Sequence, residues 1–145
     1  MSQYILDTDC VTLFQHGNPA ISQRIQAVGS ENIFVTVVTL QEHLQGRLAV
    51  INQVAKSPEL LENAYRNLRI TQAFFCNMNL LDFDNRAKDC YQNLRQQRIR
   101  IDTQDLRIAA ITLALQTIII TRNGKDFGKV PNLAIEDWSA WSHGI

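Results

Sequence analysis

The sequence predicts an α/β fold of three layers, with a mostly parallel sheet of about five strands and helices on both faces. Two observations carry the prediction. Short apolar runs alternate with segments of helical period along nearly the whole chain, and strands separated by helices pair in parallel through crossovers. In addition, Ile33-Phe34-Val35-Thr36-Val37-Val38 is β-branched and almost continuously apolar, the pattern of a strand covered on both faces.

Each element follows from local signals. Tyr4–Leu6 reads as the first strand, and Cys10–Gln15 begins a helix. Asn18-Pro19 opens the next helix, which carries Ile21, Ile25 and Val28 at helical spacing and stops at Gly29. The 33–38 run is the second strand. A helix from about Leu40 to Ala55 places Leu44, Leu48 and Ile51 in register. Ser57-Pro58-Glu59 opens another, with proline in the favoured first turn. Its apolar stripe is Leu60, Leu61, Ala64, Tyr65, Leu68 and Phe75. These two neighbours form a helical arm at about 40–77 beside the sheet. Asn79–Phe83 is a third strand, 85–97 a helix, and 102–116 a helix carrying Leu106, Ala109, Ala110 and Leu113. Thr117–Thr121 and Leu133–Ile135 complete the strands. With no linker, repeat or low-complexity tract, residues 1–145 read as one domain.

Composition narrows the function. A chain of 145 residues buries a core without disulfide or structural zinc. Fourteen basic and 14 acidic side chains cancel, which argues against coating nucleic acid or membrane by bulk charge. Cys10, Cys76 and Cys90 form no CxxC pair and read as buried free thiols of a reducing compartment. No signal peptide is evident, and apolar runs such as Ile118–Ile120 are far too short to span a bilayer. A cytoplasmic protein is expected.

The chemistry lies in acids at strand ends, where open α/β sheets bind ligands. Asp7 and Asp9 follow the first strand one residue apart; on an extended segment both carboxylates face one way. The simpler role for Asp9 is to cap the next helix. Glu42 lies past the second strand, and Thr39-x-x-Glu42 also fits a capping box. Asp105 precedes Ile108 and Ala109 by a helical step and so continues the face turned to the sheet, whereas Asp102 is the natural N-cap. Asn123 and Asp126 follow the Ile118–Ile120 strand in a turn-like Asn-Gly segment, where Asp126 has Lys125 and Lys129 near it. His43, beside Glu42, reads as a surface or half-buried histidine rather than a support for that carboxylate. Four carboxylates do not stay ionised in one crevice without a cation. An oxygen-only set suits Mg²⁺ or Mn²⁺ rather than zinc, and such a set suits phosphate-ester cleavage.

At this point the chain resembles the PIN-domain ribonucleases, in particular the VapC-type toxins of bacterial toxin–antitoxin pairs. The resemblance rests on Ile5-Leu6-Asp7-Thr8-Asp9, Val38-Thr39-Leu40-Gln41-Glu42 and Asp105-Leu106-Arg107-Ile108-Ala109-Ala110. Ile120-Thr121-Arg122-Asn123-Gly124-Lys125-Asp126-Phe127, Val130-Pro131 and Ile135-Glu136-Asp137-Trp138 extend it across essentially the whole chain. It implies an endoribonuclease that binds Mg²⁺ or Mn²⁺ through Asp7, Glu42, Asp105 and a residue of the 123–126 loop, taken as Asp126. Thr121, Asn123 and Asp9 are expected to stand just outside those ligands, Asp9 where the family more often has Asn. The resemblance further implies a homodimer, a small antitoxin clasping the 40–77 arm, and an RNA substrate. Arg95, Arg98, Arg100, Arg122 and Lys125 are candidates for its phosphate-contacting rim, with Arg98, Arg122 and Lys125 foremost.

Two other readings compete. Asp7-Thr8-Asp9-Cys10-Val11 matches the DxDxV opening of haloacid-dehalogenase-like phosphatases, but the 123–126 loop supplies one acid where that family needs two, and Glu42 and Asp105 go unexplained. A catalytically silent PIN-like module that binds RNA or protein would be expected to lack one of the four acids.

Overall fold

In the computed structural model, which describes residues 2–139, strands β1 (Tyr4–Leu6), β2 (Ile33–Thr36), β3 (Asn79–Leu81), β4 (Ile118–Ile120) and β5 (Ala134–Glu136) form one sheet. Its order is β3-β2-β1-β4-β5 and every pair is parallel. Helices α1 (Thr8–Gln15), α2 (Pro19–Val28), α3 (Val37–Gln53), α4 (Pro58–Cys76), α5 (Asn85–Gln96), α6 (Thr103–Ala114) and α7 (Gly124–Phe127) make the connections. The expected three-layer α/β fold is the fold observed. Residues 1 and 140–145, the outer ends of the single-domain reading, lie outside the described residues.

The period of two along each strand divides the core. Ile5 and Ile119 point to one face, where Val38, Leu106, Ala109 and Phe127 cover them. Leu6, Val35 and Ile120 point to the other, packed against Val11, Ile21, Phe75 and Trp138. Strands covered on both faces need no polar alternation, which is why they read as apolar runs.

Several boundaries differ from the sequence expectation. The second strand ends at Thr36, not Val38: the Thr36 hydroxyl accepts from the Thr39 N–H at 3.2 Å and starts α3 at Val37. A side-chain cap thus overrides the β propensity of Val37 and Val38. The third strand is shorter, ending at Leu81 rather than Phe83, and Asp84 caps α5. The last strand is Ala134–Glu136, one residue later than expected. In α4 the stripe is narrower than expected. Ala64, Thr71 and Phe75 are buried, but Leu60 and Tyr65 stand 57% and 55% exposed. Of the three free cysteines only Cys10 is buried; Cys90 is half-buried and Cys76 exposed, because it ends α4 on its solvent side. Among the described residues no helix is long and apolar enough to cross a membrane.

Candidate metal centre

The sheet order reverses at β1 and β4, the place where a parallel sheet opens a crevice at its carboxyl end. Asp7 leaves β1 there and Thr121 leaves β4. The Asp7 N–H donates to the Ile120 carbonyl at 3.0 Å, so the ladder runs up to the site itself. Asp7 then caps α1, its Oδ1 accepting from the Cys10 N–H at 2.8 Å. Its Oδ2 accepts from the Thr121 hydroxyl at 2.6 Å, and that hydroxyl accepts in turn from the Asn123 N–H at 2.9 Å. Asp7 is only 4% exposed. Burial raises its pKa while the Thr121 and Cys10 hydrogen bonds pull the other way. This corrects the expected capping role of Asp9: Asp7 is the cap, and because α1 begins at Thr8, Asp9 lies in a helical turn rather than on an extended segment.

Glu42 is positioned by threonines. With Thr36 as the cap, the Thr39-x-x-Glu42 capping box does not form, and Thr39 is fully buried inside α3. Thr8 donates its hydroxyl to Glu42 Oε1 at 2.6 Å. A threonine has one proton to give, so in the 3.0 Å pair between Thr8 and Thr39 the donor is Thr39. The resulting relay, Thr39 to Thr8 to Glu42, fixes the carboxylate over the crevice. Neither Thr8 nor Thr39 stood out as a site residue in the sequence. The available signal was the Thr-rich stretch after each of the first two strands.

Asp105 comes from the first turn of α6. Its pKa is pushed up to about 6, first by burial and then by the charges of Asp102, Asp7, Glu42 and Asp126 in decreasing order. Asp7, Glu42 and Asp126 thus each lie near enough to raise the Asp105 pKa, Asp126 the least. Asp102 occupies the N-cap position of α6, but its side chain makes no capping hydrogen bond, contrary to expectation. Among the described residues no lysine or arginine forms an ion pair with Asp7, Glu42 or Asp105.

The remaining candidates differ in their surroundings. Asp9, exposed, accepts from Arg122 Nε and from its second nitrogen at 2.7 and 2.9 Å, a two-pronged pair. The Asn123-Gly124 turn is the start of α7. Asn123 caps it, accepting from the Asp126 N–H at 3.4 Å and donating Nδ2 to Asp126 Oδ2 at 3.0 Å. Lys129 Nζ lies 3.4 Å from Asp126 Oδ1, and the hydrogen bond with Asn123 together with Lys129 holds the Asp126 pKa below its ordinary value. Lys125 and Arg98 are exposed. Arg98 follows α5 with a left-handed φ of 57°. His43 faces away from the crevice. Its ring packs edge-on against Phe75 at 5.3 Å, its Nε2 lies 3.3 Å from the Thr12 hydroxyl, and burial lowers its pKa.

The donor set fits a hard cation. Asp7, Glu42 and Asp105 offer oxygen alone, and two of the three have pKa values raised as expected for carboxylates crowded without a countercharge. Among the described residues the one group of three ligand atoms within 4.8 Å of one another is Asp7, Asp9 and Cys10; Asp7, Glu42 and Asp105 stand farther apart than that. That grouping is a poor metal site: burial drives the Cys10 thiol far up in pKa, keeping it protonated, and Asp9 is committed to Arg122. Asp7 is common to both sets.

No family model matches the chain. It is 24% identical over 143 residues to the tRNA(fMet)-specific endonuclease VapC of Salmonella typhimurium, covering 95% of this chain and 99% of that one. It is 26% identical to ribonuclease VapC2 of Rickettsia felis, covering 93% and 97%. Among solved structures, DNA-bound VapBC from Salmonella typhimurium superposes with a TM-score of 0.75 at 24% identity, over 95% of this chain and 99% of that chain. VapBC2 from Rickettsia felis bound to a promoter DNA fragment gives 0.68 at 27% identity, over 93% and 98%. With this sheet order and this crevice, the chain shares the fold of these VapBC structures and is similar along nearly its full length to VapC ribonucleases.

Proposed function

We propose that the chain is an endoribonuclease, the toxin of a toxin–antitoxin pair, dependent on Mg²⁺ or Mn²⁺ held by Asp7, Glu42 and Asp105 with Asp126 at the outer edge. The observation that carries this reading is the placement of three carboxylates at the open end of the sheet: Asp7 buried and held by Thr121, Glu42 held by Thr8, and Asp105 in the first turn of α6, with no lysine or arginine ion-paired to any of them among the described residues. A hard divalent cation bound there supplies Lewis acidity toward a phosphodiester and an acidified water. The chain's own residues supply the placement. Thr121 and the Cys10 N–H fix both oxygens of Asp7, and Thr8 fixes one oxygen of Glu42. Arg122, Lys125 and Arg98 rim the crevice as phosphate contacts. The phosphatase alternative is disfavoured because Asp9, which would be its acid, is paired with Arg122, and because Glu42 and Asp105 would have no part in it.

The relatives crystallised as VapBC complexes support a small cognate antitoxin as partner. We read the helical arm at 40–77 as its docking element, within a single domain spanning 1–145. Leu48, Leu60, Tyr65 and Ile70 on α3 and α4 are each at least half exposed, apolar surface that a partner would cover. A homodimer in the cytoplasm completes the reading.

The test is incubation of antitoxin-free protein with total RNA and with tRNA(fMet), the substrate in the name of the Salmonella relative, in Mg²⁺ or Mn²⁺. Discrete cleavage abolished by EDTA and by Asp7→Asn is expected. Intact RNA in metal-replete buffer would sink the nuclease reading and favour a silent binding module.

A further inference from the structure

Beside the acid cluster lies a groove of about 480 Å³ that the nuclease reading does not use. It is formed where the first turn of α3 meets α5 and α6, and its size falls within the roughly 300–1,000 Å³ of ligand pockets. Phe83 and Tyr91 make an aromatic floor, their rings edge to face at 5.9 Å. Over the Tyr91 ring stand two guanidinium groups, Arg95 at 5.8 Å and Arg107 at 5.7 Å from its centroid, and Lys88 completes the rim. No acid lines the groove, and among the described residues none of the three cations is in an ion pair. In a chain with zero net charge, this is an unneutralised positive site built around two half-buried aromatic rings.

The groove is tied to the acid cluster through shared helix starts. Gln41, next to Glu42, accepts from Gln104 at 3.1 Å, and Gln104 accepts from Arg107 at 2.8 Å. Arg107 in turn lies two residues past Asp105. A strand of nucleic acid crossing the acid cluster would continue directly into it. Charge selects the occupant. A second copy of this chain seated by a two-fold axis would set like charges against each other, whereas a nucleotide offers a π-face to Tyr91 and phosphates to the cations.

We propose that this groove is the RNA-positioning subsite of the enzyme: an unpaired base stacks in the Tyr91 platform while Arg95, Arg107 and Lys88 hold the adjoining phosphates, setting which bond lies over the acid cluster. The inference rests on the nuclease reading for its substrate. Tyr91, Arg95 and Arg107 are positioning residues, remote from the reacting atoms.

The experiment measures binding of a fluorescein-labelled, mixed-sequence single-stranded RNA to full-length Asp7→Asn protein by anisotropy, across a KCl series. The same groove substitutions are then assayed for cleavage with Asp7 restored, and each protein is sized by gel filtration. Tyr91→Leu is expected to weaken RNA binding roughly tenfold, as for loss of one stacked base. Tyr91→Phe should retain it. Arg95→Gln should lower the logarithmic salt slope by about 0.7. Cleavage by Tyr91→Leu should fall, or shift in position, while Mg²⁺ still raises its Tm as in the parent. Arg95 is exposed, so Arg95→Gln and Tyr91→Phe carry the test should Tyr91→Leu not fold. If Tyr91→Leu and Arg95→Gln bind and cut as the parent does, the groove proposal falls and the nuclease stands. Groove-dependent binding by a parent that cuts nothing overturns the nuclease reading and keeps the RNA groove. A dimer that Tyr91→Leu turns to monomer without loss of RNA affinity assigns the groove to a second copy and refutes us.

Discussion

Replacing Asp105 by Asn should make the metal-free protein more stable, although it removes a proposed ligand. In the folded state the Asp105 carboxyl titrates at about 6 against an ordinary 3.8. A folded pKa above the unfolded one means that the folded state binds more protons between those values, so stability falls as pH rises through that window. Below about 3.8 the cost is absent, and above about 6 it is complete. At 1.36 kcal/mol per pH unit the gap from 3.8 to about 6 is worth about 3 kcal/mol, which solvent around a half-exposed carboxylate cuts to about 1–2 kcal/mol. For a domain of this length that is a rise in Tm of roughly 2–8 °C. The assay is calorimetry of the parent and Asp105→Asn at pH 8 and at descending pH, in EDTA and in saturating Mg²⁺. In EDTA the variant should melt above the parent at pH 8, and the gain should shrink toward pH 4. In Mg²⁺ the order should reverse, since the cation stabilises the state that holds it. A variant less stable than the parent in EDTA at pH 8 would show that Asp105 is not a crowded carboxylate, and the argument for the cation would go with it.

Thr121→Val should leave the buried Asp7 Oδ2 without its donor, costing about 1–3 kcal/mol in chemical denaturation and lowering cleavage, while Thr121→Ser should restore both. Thr8→Val should leave Tm nearly unchanged, because the hydroxyl is only part-buried, yet reduce cleavage and Mg²⁺ affinity by releasing Glu42; unchanged affinity in a titration followed by Tm would remove the threonine relay from the site. Arg98→Gly should raise stability by about 0.5–1 kcal/mol, since a left-handed φ of 57° just past α5 favours glycine, while weakening RNA binding if Arg98 lies on the rim. Mg²⁺ affinity should fall about tenfold per pH unit below about 6, where binding must displace the Asp105 proton; a pH-independent affinity between 5 and 7 would contradict the assigned ligand.

Much of this was legible because the same physics writes both sequence and fold. A strand covered on both faces must be apolar throughout, so β1, β2 and β4 announce themselves, and an acid directly after such a run has no core role. Asp7 was readable on that ground alone. The elements that misled are those where one side chain outweighs propensity. Val37 and Val38 are good strand residues, but the Thr36 hydroxyl satisfies the Thr39 N–H and ends the strand two residues early. This cap also turns Thr39 inward. Asp9 was harder still, because its role depends on Arg122, a partner 113 residues away whose position only the β1–β4 pairing fixes.

The threonines answer a problem that the acids create. Carboxylates that repel one another in a half-buried crevice would swing toward water, and a lysine placed to hold them would occupy the cation's place. A hydroxyl fixes a carboxylate oxygen without adding charge, and it spends only one of that oxygen's two lone pairs. Thr121 on Asp7 and Thr8 on Glu42 therefore hold the geometry while leaving the charge unneutralised, and burial of Thr39 and Thr121 keeps both hydroxyls from turning to solvent. Arg122, at the β4 end of the crevice, is paired with Asp9 rather than with the cluster. An Asn at position 9 would bind that guanidinium less strongly, so the extra acid of this chain preserves the negative potential of the crevice by occupying the cation that threatens it. Asp9→Asn should accordingly lower the pKa of Asp105, measurable by NMR titration of its carboxyl, with no comparable change for Asp9→Glu. An unmoved Asp105 would mean that Arg122 stays at the margin without Asp9.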